Sequence, residues 1–186
     1  AGLTGEWRPK ASYPADSGKR PSIESLGSFT WQPQPAPDLE VTGTGGRVHR
    51  LTGYRGRPLL VVFYLGHRCV HCMEQLQQLA PRAKEFGEAG IDILAVGTDT
   101  PEGLDKTLAN AGPGGVFPFP LAADPSRAAF RAWHAHDDFE DVPLHGVFLV
   151  DAEGRVRWQD IGPEPFTDFH FLVRESRRLL RLQRRE

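Results

Sequence analysis

Apolar residues occur along most of this 186-residue chain in blocks of two kinds. Residues 59–64 and 91–96 are almost continuously apolar, which is typical of strands buried on both faces of a sheet. Residues 70–88 repeat apolar positions three and four apart, which predicts a helix, and Gly90 follows as its C′ residue. A strand, a helix and a second strand in this order predict two parallel strands joined by a helical crossover.

The remaining segments add shorter elements on both sides of this unit. They are predicted, in chain order, as a hairpin (39–41 and 48–51 around the turn 42–46), a helix beginning at 100–102, an extended piece at 117–121, a helix from 124–125 to Trp133, a second hairpin (147–150 and 155–158) and a helix over 166–183. Together they predict an α/β fold with a central mixed sheet flanked by helices and an extra N-terminal hairpin.

The first 36 residues differ from the rest of the chain. Prolines are spread through serine, glycine and lysine without a period of 2 or 3.6, which predicts an extended Pro-rich arm or linker over residues 1–36. Residues 37–186 are then the folded domain. The chain starts at Ala1 and shows no signal-peptide pattern, so we expect it to be processed or part of something longer.

Composition and charge narrow the classes of function. The net charge is −2, from 22 Lys and Arg against 24 Asp and Glu, so no bulk basic character predicts binding to nucleic acid or to a membrane surface. No apolar run reaches the roughly 18 residues that a membrane span needs. No segment predicts a cellular compartment.

The chemistry is concentrated in the only two cysteines, Cys69 and Cys72, at the predicted start of the 70–88 helix. Residues i and i+3 of a first helical turn lie on one side, at the separation that a disulfide prefers. A helix N-terminus lowers the pKa of a thiol, and we expect His67, Arg68 and His71 to add to this effect. Cys69 is the expected nucleophile toward a disulfide, and Cys72 then resolves the mixed disulfide.

Several short segments carry a resemblance to a known family. They are Ala36-Pro37-Asp38-Leu39, Tyr54-Arg55-Gly56-Arg57-Pro58, Phe63-Tyr64, Phe117-Pro118-Phe119-Pro120-Leu121 with Asp124-Pro125, and Phe148-Leu149-Val150-Asp151 with Gly154. With the C-x-x-C pair they resemble the thioredoxin fold. More narrowly, residues 36–182 resemble the redoxin, or peroxiredoxin-like, family of alkyl-hydroperoxide reductases and thiol-specific antioxidants. The resemblance implies a thioredoxin-like domain with a redox-active centre.

The chain departs from the family pattern at its reactive positions. Peroxiredoxins carry P-x-x-x-T-x-x-C, and counting from Phe63-Tyr64 places Leu65 at the proline, Cys69 at the threonine and Cys72 at the peroxidatic cysteine. The family's arginine, and equally the cis-proline of thioredoxin-like oxidoreductases, falls on His145. Both of these lie against the reactive sulfur in the family, so the resemblance implies that the His145 ring lies within about 4–6 Å of a cysteine sulfur. Either the Val142–Pro143 bond is cis and the strand bulges, or the chain lacks the cis-proline.

These residues predict a thiol–disulfide oxidoreductase that uses Cys69 and Cys72. We expect His71 and His145 to tune the pKa of the thiolate. The enzyme would need no cofactor beyond the redox-active disulfide. Its expected partners are protein or small-molecule disulfides, peroxides as an alternative substrate, and a reductant dithiol. One alternative is a thiol peroxidase in which Cys72 reacts with peroxide and Cys69 resolves. Another is a redox-inert or metal-holding interaction domain of a larger protein, with His67, His71 or His145 completing a zinc or copper site.

Overall fold

The two apolar runs form neighbouring parallel strands at the centre of the sheet. The structure is a computed structural model that describes residues 33–109, 111 and 116–183. In it β4, Leu59–Tyr64, pairs in parallel with β5, Asp92–Gly97. The helical crossover between them is interrupted, with α1 at Val70–Leu79 and α2 at Ala83–Glu88. The single helix predicted over 70–88 is therefore two helices.

A 3₁₀ turn, Ala80–Arg82, separates α1 from α2. It contains Pro81, which has no N–H to donate and whose ring clashes with the carbonyl one helical turn back. The predicted C′ glycine is confirmed, because Gly90 has a φ of 74°, in the left-handed region that glycine enters without steric penalty.

Besides β4 and β5, the large sheet contains β1 (Gln34–Pro35), β2 (Glu40–Gly43), β3 (Val48–Arg50), β6 (Leu121–Ala123), β9 (His145–Val150) and β10 (Arg155–Gly162). Its eight strands lie in the order β1-β10-β9-β4-β5-β6-β2-β3. β4, β5 and β6 are parallel, whereas the other neighbours pair antiparallel. A mixed sheet with two hairpins is thus confirmed. A separate two-stranded ladder joins β7 (His136–Asp137) to β8 (Val142–Pro143).

Both faces of the sheet are covered, which explains the continuous apolar sequence of β4. Leu60, Val62 and Tyr64 pack into a core with α1, α2, α3 (Pro101–Ala109) and α5 (Phe169–Gln183). The alternate residues of β4 pack on the opposite face with α4 (Ala128–Ala132). Because side chains alternate along a strand, each face of β4 contributes to a different layer of helices.

Three predicted elements are displaced along the chain. The helix expected from 124–125 begins only at Ala128. The extended piece expected at 117–121 is a strand only at Leu121–Ala123, because Pro118 and Pro120 have no N–H to donate to the ladder. The last helix begins at Phe169 rather than 166, since Asp168 accepts the N–H of Phe171 at 2.9 Å and so caps the helix start.

Residues 1–32 lie outside the described residues, so the predicted arm stays a prediction there. The end of that segment is described, and Gln34–Pro35 pairs with β10. Among the described helices, none is both long enough and apolar enough to span a bilayer.

Candidate active site

The cysteine pair lies where the central strand passes into the first helix. Cys69 is the N-cap residue of α1, with extended backbone angles, and Cys72 lies in the first turn. The two residues form a disulfide with a Cα–Cα separation of 5.2 Å, within the range expected for an i, i+3 pair. The predicted disulfide geometry is confirmed.

Backbone donors surround both sulfurs. The N–H of Cys72 donates to Cys69 Sγ at 3.1 Å, as the capping bond of the helix, and the N–H of Leu65 donates to Cys72 Sγ at 3.3 Å. Hydrogen bonds of this kind stabilise a thiolate more than a thiol, and the helix dipole acts in the same direction on Cys69. The backbone donors and the N-terminus of α1 therefore stabilise negative charge on the two sulfurs.

The two sulfurs differ in their access to solvent. Cys72 is 0% exposed and belongs to the core beneath α1. Cys69 is half-buried, and its neighbour Val70 is 68% exposed. A large reactant can reach only the Cys69 end of the pair.

His145, the first residue of β9, faces both sulfurs. Its Nε2 lies 3.2 Å from Cys72 Sγ and 3.8 Å from Cys69 Sγ, and the residue is 4% exposed. The expected proximity of His145 to the pair is confirmed. No peptide bond among the described residues is cis, so Val142–Pro143 is trans and His145 itself occupies the position facing the cysteines.

The other ring nitrogen of His145 fixes the state of the imidazole. Nδ1 lies 2.9 Å from the carbonyl oxygen of Pro163, which can only accept, so Nδ1 carries the proton. The lone pair of Nε2 then points at the sulfurs whenever the ring is neutral. Burial lowers the pKa of His145, and the hydrogen bond to Pro163 offsets this only in part. At neutral pH His145 is therefore a base aimed at the pair.

Two histidines near the pair, His67 and His71, face carboxylates. The side chain of His71 is 70% exposed, and its Nδ1 lies 3.5 Å from Glu74. His67 Nδ1 lies 2.7 Å from Asp99. The predicted tuning of the thiolate by His71 stays a prediction, and it would act from the protein surface.

Asp99 is a site residue that the sequence analysis missed. Its carboxylate accepts the backbone N–H of His67 at 2.9 Å and the hydroxyl of Thr107 at 3.0 Å, in addition to the His67 ring. It thereby fixes the loop that carries the cysteines. Only the topology of the sheet could have indicated its place in the site. Asp99 follows β5, and the carboxyl ends of adjacent parallel strands lie at the same edge of a sheet.

A groove of about 370 Å³ opens beside this loop. It is lined by residues 65, 67–68, 98–100, 102–103 and 106. The lining combines basic and acidic side chains, Arg68 and Lys106 with Glu102, so it does not select strongly for one sign of charge.

Among the histidines proposed to complete a metal site, only His145 joins the sulfurs. Cys69 Sγ, Cys72 Sγ and a ring nitrogen of His145 all lie within 4.8 Å of one another. His67 and His71 face carboxylates instead.

Comparison with known proteins identifies the family. The model of the AhpC/TSA family matches residues 33–159, more than half of the chain. The chain belongs to the AhpC/TSA family. This membership confirms the resemblance to redoxins found in the sequence.

Curated relatives carry two activities in their names. Peroxiredoxin 2 of Thermoplasma acidophilum is 28% identical over 127 residues, which is 67% of this chain and 63% of the relative. The thiol-disulfide oxidoreductase ResA of Geobacillus thermodenitrificans is 28% identical over 123 residues, 66% of this chain and 64% of the relative. The family, the C-x-x-C pair and the names of these relatives indicate the same class of enzyme. The chain is a thiol-dependent oxidoreductase.

Solved structures confirm the fold. The reduced 2-Cys peroxiredoxin of Plasmodium vivax aligns with a TM-score of 0.72 at 19% identity, over 83% of this chain and 99% of that structure. Peroxiredoxin Q of Xanthomonas campestris aligns with a TM-score of 0.65 at 23% identity, over 75% of this chain and 90% of that structure. The thioredoxin-like class predicted from the sequence is confirmed.

Proposed function

We propose that this protein exchanges electrons between its Cys69–Cys72 pair and the disulfide of a protein or small-molecule partner. The observation that carries the proposal is the unequal exposure of the sulfurs, with Cys69 half-buried at a helix start and Cys72 fully buried against His145. A disulfide substrate is too large to reach Cys72 but can meet Cys69. The exchange needs no cofactor other than the thiols.

In the first step the Cys69 thiolate attacks one sulfur of the substrate disulfide. A new Cys69–substrate disulfide forms, and the other half of the substrate leaves as a thiolate. The Cys72 N–H, 3.1 Å from Cys69 Sγ, and the N-terminus of α1 stabilise the attacking thiolate.

In the second step Cys72 resolves the mixed disulfide. His145 Nε2 takes the proton of the Cys72 thiol, and the resulting thiolate attacks Cys69 Sγ to form the intramolecular disulfide. The second half of the substrate leaves as a thiolate, and His145 returns the proton to solvent or to that leaving group. Two electrons have then passed from the protein to the substrate.

The cycle closes when a dithiol partner reduces the Cys69–Cys72 disulfide by the reverse sequence. His71, paired with Glu74 at the mouth of the site, is placed to influence the charge felt by an approaching partner. The net charge of −2 gives no reason to add nucleic acid or a membrane surface to these partners.

A second candidate function is peroxide reduction at Cys72, which is favoured by the peroxiredoxin relatives and by the base at His145. In this reaction Cys72 attacks the peroxide and becomes a sulfenic acid while water or an alcohol leaves. Cys69 then displaces water to form the same disulfide. The family's arginine and threonine are replaced here by His145 and Cys69, so the usual peroxide-binding groups are absent from those positions.

The deciding experiment is a stoichiometric thiol titration of the reduced protein with a disulfide or with peroxide as oxidant. We expect the disulfide to consume both thiols rapidly and peroxide to do so slowly. Cys72→Ser should retain one rapid reaction with the disulfide, whereas Cys69→Ser should lose it. Faster loss of thiols with peroxide, surviving in Cys69→Ser, would establish the peroxidase instead.

A further inference from the structure

Three side-chain atoms that can bind a soft or borderline metal ion lie close together, and they come from two separate elements. Cys69 and Cys72 come from the start of α1 and His145 from the start of β9, and their donor atoms lie within 4.8 Å of one another. Two thiolates and an imidazole are the ligands that zinc prefers. Within the described part of the chain, this is the only such group of three His, Cys, Asp or Glu side chains.

The distances from the imidazole to the sulfurs of the disulfide are already close to those of a zinc site. Bonds of about 2.3 Å to sulfur and about 2.0–2.1 Å to nitrogen, at a tetrahedral angle, place the two donors about 3.6 Å apart. The observed separations from His145 Nε2 are 3.2 Å to Cys72 Sγ and 3.8 Å to Cys69 Sγ, which bracket this value.

The sulfurs must separate first. In a disulfide they lie about 2.0 Å apart, whereas two thiolates of a tetrahedral zinc site lie about 3.8 Å apart. Only the reduced protein can supply both ligands, so occupation of the site depends on the redox state of the pair.

The surroundings already hold each ligand in the orientation a metal requires. The Pro163 carbonyl accepts the Nδ1–H of His145 at 2.9 Å, which directs the Nε2 lone pair toward the sulfurs. Metal-binding histidines characteristically make a bond of this kind with their second nitrogen. Backbone N–H groups of Leu65 and Cys72 donate to the two sulfurs and stabilise the thiolates.

Charge favours Zn²⁺ over Cu⁺. Two thiolates, a neutral imidazole and Zn²⁺ sum to zero, whereas Cu⁺ leaves a net charge of −1 next to the buried Cys72 and His145. Zinc also needs a fourth ligand, and the half-exposed Cys69 leaves the solvent side of the site open to water.

We propose that the reduced protein binds one Zn²⁺ through Cys69 Sγ, Cys72 Sγ and His145 Nε2, with water as the fourth ligand. Zinc binds both cysteines as thiolates, so binding releases the protons that the two sulfurs still carry and transfers no electrons. Zinc-bound thiolates are not free to attack a disulfide, so zinc holds the pair reduced and inactive. This regulatory consequence rests on the proposed function, whereas the binding itself does not.

The test is zinc titration of the reduced full-length chain under anaerobic conditions, in competition with a chromogenic chelator. We expect one zinc per reduced chain and none per oxidised chain. Co²⁺ as a spectroscopic probe should show sulfur-to-metal charge transfer and tetrahedral absorption. Equal binding by the oxidised protein, or one metal shared by two chains, would overturn the proposal.

Variants distinguish zinc binding by all three ligands from zinc binding by the two cysteines alone. His145→Ala should weaken zinc binding by at least about tenfold, and each Cys→Ser variant should do the same. His170→Ala, at an exposed histidine of α5, should bind as the wild type does. Where His145→Ala loses its far-UV circular dichroism, His145→Cys should keep zinc and His145→Gln should lose it. Unchanged affinity in a folded His145→Ala or His145→Gln variant, or binding of Cu⁺ without Zn²⁺, would refute the assignment.

A disulfide-exchange assay with a metal chelator present keeps the two proposals distinguishable. If the reduced protein reacts with disulfides but binds no zinc, only the zinc site is wrong. If it binds zinc as described but does not react with disulfides, the proposed exchange function is wrong and the binding site stands.

Discussion

His145 Nε2 lies 3.2 Å from the buried sulfur of Cys72, while its Nδ1 donates to the Pro163 carbonyl. The backbone thus fixes which nitrogen is available as a base. Burial lowers the pKa of His145, so the base is unprotonated at neutral pH in the oxidised protein. In the reduced protein the same contact lets Cys72 share its proton with the imidazole.

Replacing this base should slow resolution. His145→Ala removes the group that accepts the proton of the Cys72 thiol, so closure of the intramolecular disulfide from a Cys69 mixed disulfide should slow by at least about tenfold at pH 7. Quenched-flow mass spectrometry follows the mixed disulfide directly. The matched control is His49→Ala, since His49 is also buried but contacts Tyr54. Equal closure rates in the two variants would exclude His145 as the proton acceptor.

The same histidine should make stability depend on pH. Because its folded pKa lies below the ordinary value of about 6.5, the unfolded chain binds more protons between these two values, and stability rises with pH there. The stability that neutral His145 contributes is fully present above about pH 6.5 and is lost as the pH falls toward the pKa of His145 in the folded protein.

Urea unfolding of the oxidised protein from pH 7.5 down to 5 measures this dependence without titrating cysteines. His145→Gln should flatten the slope. Some slope should remain, because burial and Arg47 also lower the pKa of His49, and the additional change His49→Gln should remove that part. A slope identical to that of the wild type in His145→Gln would show that the residue does not titrate as described.

The order of alkylation should follow exposure. At neutral pH iodoacetamide should modify Cys69 of the reduced protein before Cys72, because Cys72 is fully buried and Cys69 caps the helix. Peptide mapping at short reaction times gives the ratio of the two adducts, which we expect to exceed about ten. Preferential labelling of Cys72 would assign the reactive role to the other sulfur.

Asp99, which follows β5, should stabilise the loop that precedes Cys69. Asp99→Ala leaves the N–H of His67 and the hydroxyl of Thr107 without their acceptor, which should cost about 1–3 kcal/mol in the free energy of unfolding. Asp105→Ala, on the exposed side of α3, is the control and should change stability by less than about 0.5 kcal/mol. Equal effects of the two substitutions, measured by chemical unfolding, would contradict the role given to Asp99.

The sequence predicted those parts of the site that depend on local pattern. The continuous run of β4 and the spacing of Cys69 and Cys72 placed the disulfide at a strand-to-helix junction, where it lies. His145 was found by counting back from Phe148, which works because a strand keeps a fixed period and the hairpin after it begins at a recognisable turn.

Contacts that depend on packing between strands were not predicted. The bond from Asp99 to His67 requires the register of β5 against β4, which no local pattern contains. The Pro163 carbonyl that orients His145 is a backbone group beyond β10, so no side-chain motif marks it. The break at Pro81 was missed because apolar spacing continues through the 3₁₀ turn.

The proposed function requires Cys69 to attack a disulfide and Cys72 to resolve the mixed disulfide. It is tested most directly by mixing reduced Cys72→Ser with excess glutathione disulfide and mapping the product by mass spectrometry. We expect one stable glutathione adduct on Cys69, formed much faster than any adduct on Cys72 in Cys69→Ser. A faster adduct on Cys72, or no adduct on Cys69 while peroxide oxidises Cys72, would contradict it.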